Sequence, residues 1–263
     1  MYLPKDAQEP LPTIVWIHGG SFVAGTKDGI ENYAVMLANE GYVVVGMDYE
    51  WAPEISYPGQ VRQVEECLAE LEMVKSTYRL DLTRLFLCGD SAGAHIAAQA
   101  ALLATNSVYE QALGVQSAIQ KSQLCGALLY CGPYDVSAML DTGNRQIDFF
   151  TSRIGWALFG DKAWREGEML KTTTIKDYLT EDVPPVLISD GNKGSFESQG
   201  KALVAAVAAQ GTPVIPLFFD PSQYGDVPHE YQFNIGGSDA GAVCYEKTLQ
   251  FLQTCTARAA SVY

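Results

Sequence analysis

Basic side chains are scarce in this chain of 263 residues: 17 lysines and arginines stand against 31 aspartates and glutamates, a net charge of −14. Such a balance argues against nucleic acid, anionic membrane surfaces and polyanionic substrates as partners. Apolar runs approaching the roughly 20 residues of a membrane-spanning helix are missing. Repeats, low-complexity stretches and charge runs are missing too, so one well-buried domain over 1–263 is expected. The six cysteines, Cys67, Cys88, Cys125, Cys131, Cys244 and Cys255, lack Cys-x-x-Cys spacing and partnering histidines. They therefore suggest no zinc site and read mostly as core residues of a protein in a reducing compartment. Residues Met1 to Lys5 show neither the basic nor the apolar region of a signal peptide, which points to the cytoplasm. Oligomeric state is not legible, and a homo-oligomer stays open.

What is present is a strand-turn-helix pattern around Gly89-Asp90-Ser91-Ala92-Gly93. The apolar run 84–88 precedes it and an alanine-rich stretch follows. In that context Gly-x-Ser-x-Gly reads as a nucleophile elbow, with a serine hydroxyl exposed on a strained turn at the start of a helix. The glycines remove side chains that so tight a turn could not hold, and the helix start offers N–H groups to a developing oxyanion. The competing reading is a small-residue turn with an incidental serine. Upstream, the run 13–17 ends in His18-Gly19-Gly20-Ser21-Phe22. A glycine loop after a buried strand lets backbone N–H groups converge on one oxygen, as acyl transfer requires.

Apolar β-rich runs at 13–17, 42–47, 84–88, 126–131, 186–189 and 214–219 alternate with helical patterns at 30–39, 57–76, 92–105, 199–210 and 241–256. That alternation predicts an α/β fold with a mostly parallel, doubly wound sheet and helices on both faces. The interval 136–182 interrupts it with a concentration of aromatics, among them Phe149, Phe150, Trp156, Phe159 and Trp164. As a group these predict the wall of an apolar pocket.

The order HGGSF, DYEWAPE, GDSAG and a late histidine resembles the α/β-hydrolase superfamily. Within it, the chain is similar to the esterases related to hormone-sensitive lipase, whose usual patterns are HGGG, a DYRLAPE-like segment and GDSAGG. The likeness runs from about Leu11 to the C-terminal helix. It implies Ser91 as nucleophile and the amides of Gly20, Ser21 and Ala92 as the oxyanion hole, with Ser21 standing where a third glycine is usual. It also implies that 136–182 is a short cap insertion, and that no metal or organic cofactor is needed. Tyr2-Leu3-Pro4 resembles the end of an early strand in such esterases, which leaves N-terminal sequence beyond Met1, and hence secretion, open.

Only three histidines can serve as base. His18 lies in the glycine loop, where the resemblance gives its ring a bracing role. His95, four residues past Ser91, points into packing. His229 follows the last strand, where these esterases keep their catalytic histidine, and it is the expected base.

The acid departs from the pattern. After strand 186–189 the chain reads Ser189-Asp190-Gly191-Asn192-Lys193-Gly194-Ser195-Phe196-Glu197, and alignment through Gly200 puts Gly194 at the usual aspartate position. Asp190 is the first candidate, Glu197 the second and Asp135, after the strand at 126–131, the third. Ser195 reads as a helix N-cap, which would give Glu197 a structural place in the first turn. The expectation is a serine hydrolase of small-molecule carboxylic esters, with short-chain or acetyl groups favoured. The alternative is a catalytically impaired α/β-hydrolase used to bind a ligand or protein.

Overall fold

The computed structural model describes residues 1–5, 7–139 and 144–260. The β-rich runs fold as six strands: β1 (Leu11–Ile17), β2 (Val43–Met47), β3 (Leu80–Asp90), β4 (Leu124–Tyr130), β5 (Val186–Asp190) and β6 (Val214–Phe218). They form one sheet in the order β2-β1-β3-β4-β5-β6, every neighbouring pair parallel. Strand β3 begins four residues before the apolar run that announced it. Leu80 and Asp81 already pair with Leu11 and Pro12, ahead of a register shift beside Pro12, which has no N–H for the ladder.

Eight α-helices connect and flank the strands among the described residues: α1 (Glu31–Asn39), α2 (Gly59–Tyr78), α3 (Ala92–Thr105), α4 (Ser107–Leu113), α5 (Arg145–Phe159), α6 (Glu197–Ala209), α7 (Pro221–Tyr224) and α8 (Asp239–Ala260). Helix α2 starts at Gly59 rather than at Tyr57, because a residue before proline is pushed out of helical geometry and Pro58 follows Tyr57. The unexpected α4 has a readable start: Asn106 Oδ1 accepts from the N–H of Val108 at 2.9 Å and of Tyr109 at 3.3 Å. No helix of the described residues is long and apolar enough to cross a membrane.

Period-two alternation sorts β1 between two cores. Ile14 and Trp16 pack with Tyr33 and Leu37 of α1 and with Cys244, Phe251 and Leu252 of α8. Val15 and Ile17 face the other way, into Val61 and Leu68 of α2, Ala94 and Ala97 of α3, and Leu203 of α6. A sheet covered on both faces explains why its strands read as continuous apolar runs. From β1 the chain moves to the edge at β2, then returns to β3 on the other side of β1, so the connections leave β1 and β3 in opposite directions. Ligand crevices of open α/β sheets form at such a reversal. The glycine loop after β1 and the elbow after β3 emerge there side by side.

In the span 136–182, of which 140–143 lie outside the described residues, the aromatics do not form one wall. Trp164 is buried with Ile154 and Leu158, and its ring stacks on Phe159 at 5.4 Å. Phe159 in turn meets Tyr57 edge-on at 5.2 Å, whereas Phe149 and Phe150 are 62% and 61% exposed. Part of the expected pocket lining is therefore core, and part is surface of α5.

One buried hydroxyl fastens α8 to the sheet. Thr248 Oγ1 donates to Cys244 O at 2.9 Å and accepts from the hydroxyls of Tyr33 at 3.1 Å and Tyr130 at 2.6 Å. Thr248→Val keeps the shape but strands both tyrosine hydroxyls, at a cost of about 1–3 kcal/mol. Urea unfolding should show that loss as a lower midpoint with unchanged slope; an unchanged midpoint would remove Thr248 from this role.

Candidate active site

The elbow follows from close approach of two chain segments. Ser91 sits at φ 50° and ψ −121°, outside the regions that ordinary residues favour, and its N–H donates to Tyr130 O at 2.8 Å. A Cβ on Gly93 would lie 2.0 Å from Ile17 O, so only glycine lets α3 start against the end of β1. The result is a serine only 7% exposed whose hydroxyl points at the loop cluster. The N–H groups of Gly20, Ser21 and Ala92, expected as oxyanion donors, make no hydrogen bond to protein among the described residues.

The glycine loop is strained and then clamped. Ser21 and Phe22 both have positive φ, 54° and 65°, a conformation that costs on the order of 1–3 kcal/mol per residue. Offsetting contacts surround it: Phe22 is buried edge-on against His95 at 5.8 Å, and its carbonyl accepts from Ala52 N at 2.9 Å. Trp51 Nε1 donates to Gly25 O at 3.0 Å. The side chain of Ser21 is exposed, turned away from the converging amides. His18 Nδ1 donates to Gly19 O at 2.6 Å while its ring stacks on Tyr49 at 4.4 Å. His95 Nδ1 donates to Pro133 O at 2.7 Å, and burial pushes its pKa down to about 4. Neither ring bonds to Ser91.

His229 does. Its Nε2 lies 3.0 Å from Ser91 Oγ, and burial lowers its pKa against the opposing influence of Glu230. Its Nδ1 meets not a carboxylate but Ser195 Oγ, at 2.6 Å. The Ser195 hydroxyl donates to Asp190 Oδ1, which also accepts from Gly191 N at 2.8 Å. Asp190 therefore stands one hydroxyl away from the imidazole, not in contact with it. Its 1% exposure raises its pKa to about 6. The other two acid candidates are engaged elsewhere: Glu197 pairs with Lys201 at 2.9 Å, and Asp135 Oδ1 accepts from Ser137 and Ala138. Gly194, the aligned acid position, has open space where a Cβ would be.

Ser195 is the residue that sequence reasoning misplaced. Helix α6 begins at Glu197 with Phe196 before it, and no side chain caps it. The loop carrying Ser195 is tied to the loop carrying His229: Lys193 N donates to Val227 O at 3.1 Å, and Val227 N to Asn192 Oδ1 at 2.9 Å. Phe196 meets the His229 ring edge-on at 5.6 Å. Among the described residues one group of potential metal donors converges, Cys131 and Asp190 from the ends of β4 and β5 and His229 from the loop after α7, positions that sequence spacing could not relate. Cys131 is fully buried with its thiol pKa pushed well up, and it donates to Gln232 Oε1 at 3.4 Å, as a packed thiol does.

A second carboxylate cluster lies beside Ser91. Asp90 accepts from Trp16 Nε1 at 2.7 Å and from Gly19 N at 2.8 Å. A Cβ on Gly19 would lie 2.5 Å from Asp90 Oδ2 and 2.7 Å from Glu230 Oε1, so both carboxyl groups crowd the same glycine. Burial raises the Asp90 pKa to about 7; Glu230 adds to the rise, and the Trp16 and Gly19 bonds oppose it.

The BD-FAE family model matches residues 1–203. Kynurenine formamidase of Danio rerio is 32% identical over 143 residues, 54% of this chain and 44% of that protein. Esterase LipC of Mycobacterium tuberculosis is 26% identical over 187 residues, 70% of this chain and 45% of that one. The chain thus spans less than half the length of these curated relatives. Among solved structures, inhibited esterase B from Lactobacillus rhamnosis superposes with a TM-score of 0.86 at 21% identity, covering 99% of this chain and 82% of that one. The hyperthermophilic esterase from Pyrobaculum calidifontis gives 0.76 at 18% identity, covering 95% and 79%. These likenesses place the α/β-hydrolase fold expected from the motifs.

The Asp90 and Glu230 pair makes stability depend on pH with a definite sign. A carboxyl whose folded pKa is raised from 3.8 to about 7 binds its proton more tightly folded than unfolded, so stability falls as pH rises across that window. Glu230→Gln removes one contributor to the rise. Its thermal midpoint should exceed that of the natural chain at pH 7.5, with the gap closing toward pH 4; a gap independent of pH would refute the coupling.

Proposed function

The chain belongs to the BD-FAE family, and from that premise we propose that it is a serine hydrolase of carboxylic esters, with Ser91 as nucleophile and His229 as general base. One observation carries the reading: Ser91 Oγ lies 3.0 Å from His229 Nε2 on a strained elbow beside three uncommitted amides. The esterase names of relatives and structural neighbours support it.

In the proposed cycle His229 Nε2 takes the Ser91 proton as Oγ attacks the ester carbonyl carbon. The carbonyl π-electrons move onto oxygen, and the N–H groups of Gly20, Ser21 and Ala92 stabilise that charge where water is largely excluded. Collapse reforms the carbonyl and breaks the bond to the alkoxy group, which leaves as alcohol with the proton from Nε2. Water then repeats the sequence on the acyl-enzyme, releasing the carboxylic acid and restoring Ser91. Because burial lowers the His229 pKa, the ring is neutral and able to accept a proton at neutral pH. The short segment 136–182 as a cap favours small acyl groups, acetyl among them. This reading makes a small-molecule ester the ligand.

The test is hydrolysis of p-nitrophenyl esters from acetate to octanoate, with an N-formyl amide added because one relative bears the name formamidase. Rates should fall with acyl length, and Ser91→Ala should lower kcat by at least about 10⁴-fold. The acid limb of kcat/KM should lie below the ordinary histidine value of 6.5. A folded protein with no Ser91-dependent rate on any ester would favour an impaired hydrolase that serves as a binding module, and a Ser91-dependent rate confined to the formamide would replace the ester by an amide.

A further inference from the structure

Building on the proposed roles of Ser91 and His229, we infer that Ser195 is a positioning residue of the reaction: its hydroxyl, placed between His229 Nδ1 and Asp190 Oδ1, sets the tautomer and orientation of the base that a carboxylate elsewhere sets by direct contact.

Hydrogen count fixes the direction of the chain. To accept the Ser91 proton, Nε2 must carry a free lone pair, so the ring proton belongs on Nδ1 and donates to Ser195 Oγ across 2.6 Å. Ser195 has a single hydroxyl proton, and it goes to Asp190 Oδ1. An ionised Asp190 can only accept, which closes the chain in one sense: Ser91 to His229 to Ser195 to Asp190. Were Asp190 protonated, its O–H could donate to Ser195 and turn the Ser195 proton toward Nδ1. The ring proton would then sit on Nε2, where it blocks uptake from Ser91. The groups facing Asp190 are Cys131 and Tyr134 from the end of β4 together with Ser195 and His229, and Glu230 faces the ring from its own loop. None of them is a cation at neutral pH, and the proton on Nδ1 is held by its hydrogen bond to the neutral Ser195 hydroxyl rather than by a carboxylate in direct contact.

Nothing else among the described residues uses this hydroxyl. Helix α6 begins two residues later without a side-chain cap, and the two bonds of Ser195 Oγ run only to His229 and Asp190. The loop ladder through Asn192, Lys193 and Val227 keeps Ser195 and His229 in register, so the hydroxyl is presented by backbone held on both sides.

The experiment is a double-mutant cycle on an ester that the natural chain turns over, using Ser195→Ala, Asp190→Asn and the pair. Ser195→Ala should lower kcat roughly 100-fold, as misplacement of a reacting group does, with KM within a factor of two. The pair should lose no more than the worse single variant, because both cut the same chain. Unchanged kcat in Ser195→Ala, or losses that multiply, would overturn the role. A second readout needs no substrate: a low-field proton resonance from His229 Nδ1, assigned by its disappearance in His229→Asn, should be present in the natural chain and displaced or lost in Ser195→Ala. An unmoved resonance would also overturn it. Absence of any ester turnover in the natural chain would sink the function proposed above, and the resonance would still decide the place of Ser195.

Discussion

The carboxylate of Asp90 is the group on which the two halves of the site depend. It belongs to the last residue of β3, one position before Ser91, and it accepts from Trp16 in β1 and from the backbone of Gly19 in the loop after β1. The Ser91 turn and the glycine loop are therefore held by one side chain, buried to 3% exposure between the central strands. A carboxylate there is costly to ionise, and its raised pKa records that cost. What it fixes is a distance: the amides that would meet an oxyanion stand where the turn of Ser91 needs them.

Strain and burial act together around this point. Ser21, Phe22, Ser91, Cys131 and Glu230 all have positive φ; the first four lie just past the C-terminal ends of strands, and Glu230 lies in the loop after α7 beside His229. Such conformations persist only where surrounding contacts over-determine them. Here the contacts are identifiable: Phe22 against His95, Trp51 on Gly25, Ser91 N on Tyr130 O, Cys131 N on Ser189 O. All three imidazoles share a lowered pKa from burial, so the loop cluster holds neutral rings rather than cations. His18 and His95 spend Nδ1 on backbone carbonyls, and only His229 turns its two nitrogens to serine hydroxyls, Ser91 and Ser195.

The sheet was legible because parallel strands buried on both faces write themselves as apolar runs, and the reversal between β1 and β3 followed from motif order. Strand and helix ends were less legible where local chemistry is mixed. Asp81 and Thr83 disguised the start of β3, and Pro58 moved the start of α2. Ser91, His229, Gly20, Ser21 and Ala92 could be proposed as candidates from short motifs and the family resemblance, since each lies in or beside a short recognisable stretch of chain. The surroundings of Asp190 could not. Ser195 meets His229 across 34 positions and Glu230 crowds Gly19 across 211, and no spacing rule connects them. The Ser195 signal looked like a helix cap because a serine two positions before a glutamate at a helix start has that appearance whether or not it caps. Likewise Trp164 and Phe149 look alike in sequence, though one fills core and the other faces solvent.

The position of Asp190 also answers an electrostatic problem that the sequence alone did not pose. Asp190 and Glu230 both lie near one imidazole, and burial raises the pKa of Asp190 as it does that of Asp90. A carboxylate in direct contact with Nδ1 would favour the protonated ring strongly. The influence that raises the His229 pKa comes instead from Glu230, and it is outweighed by burial. With a neutral hydroxyl in between, Asp190 can orient the ring through a hydrogen-bonded chain without pressing a full charge against it. A ring held neutral in this way keeps the lone pair of Nε2 free toward Ser91 Oγ while Nδ1 carries the proton toward Ser195.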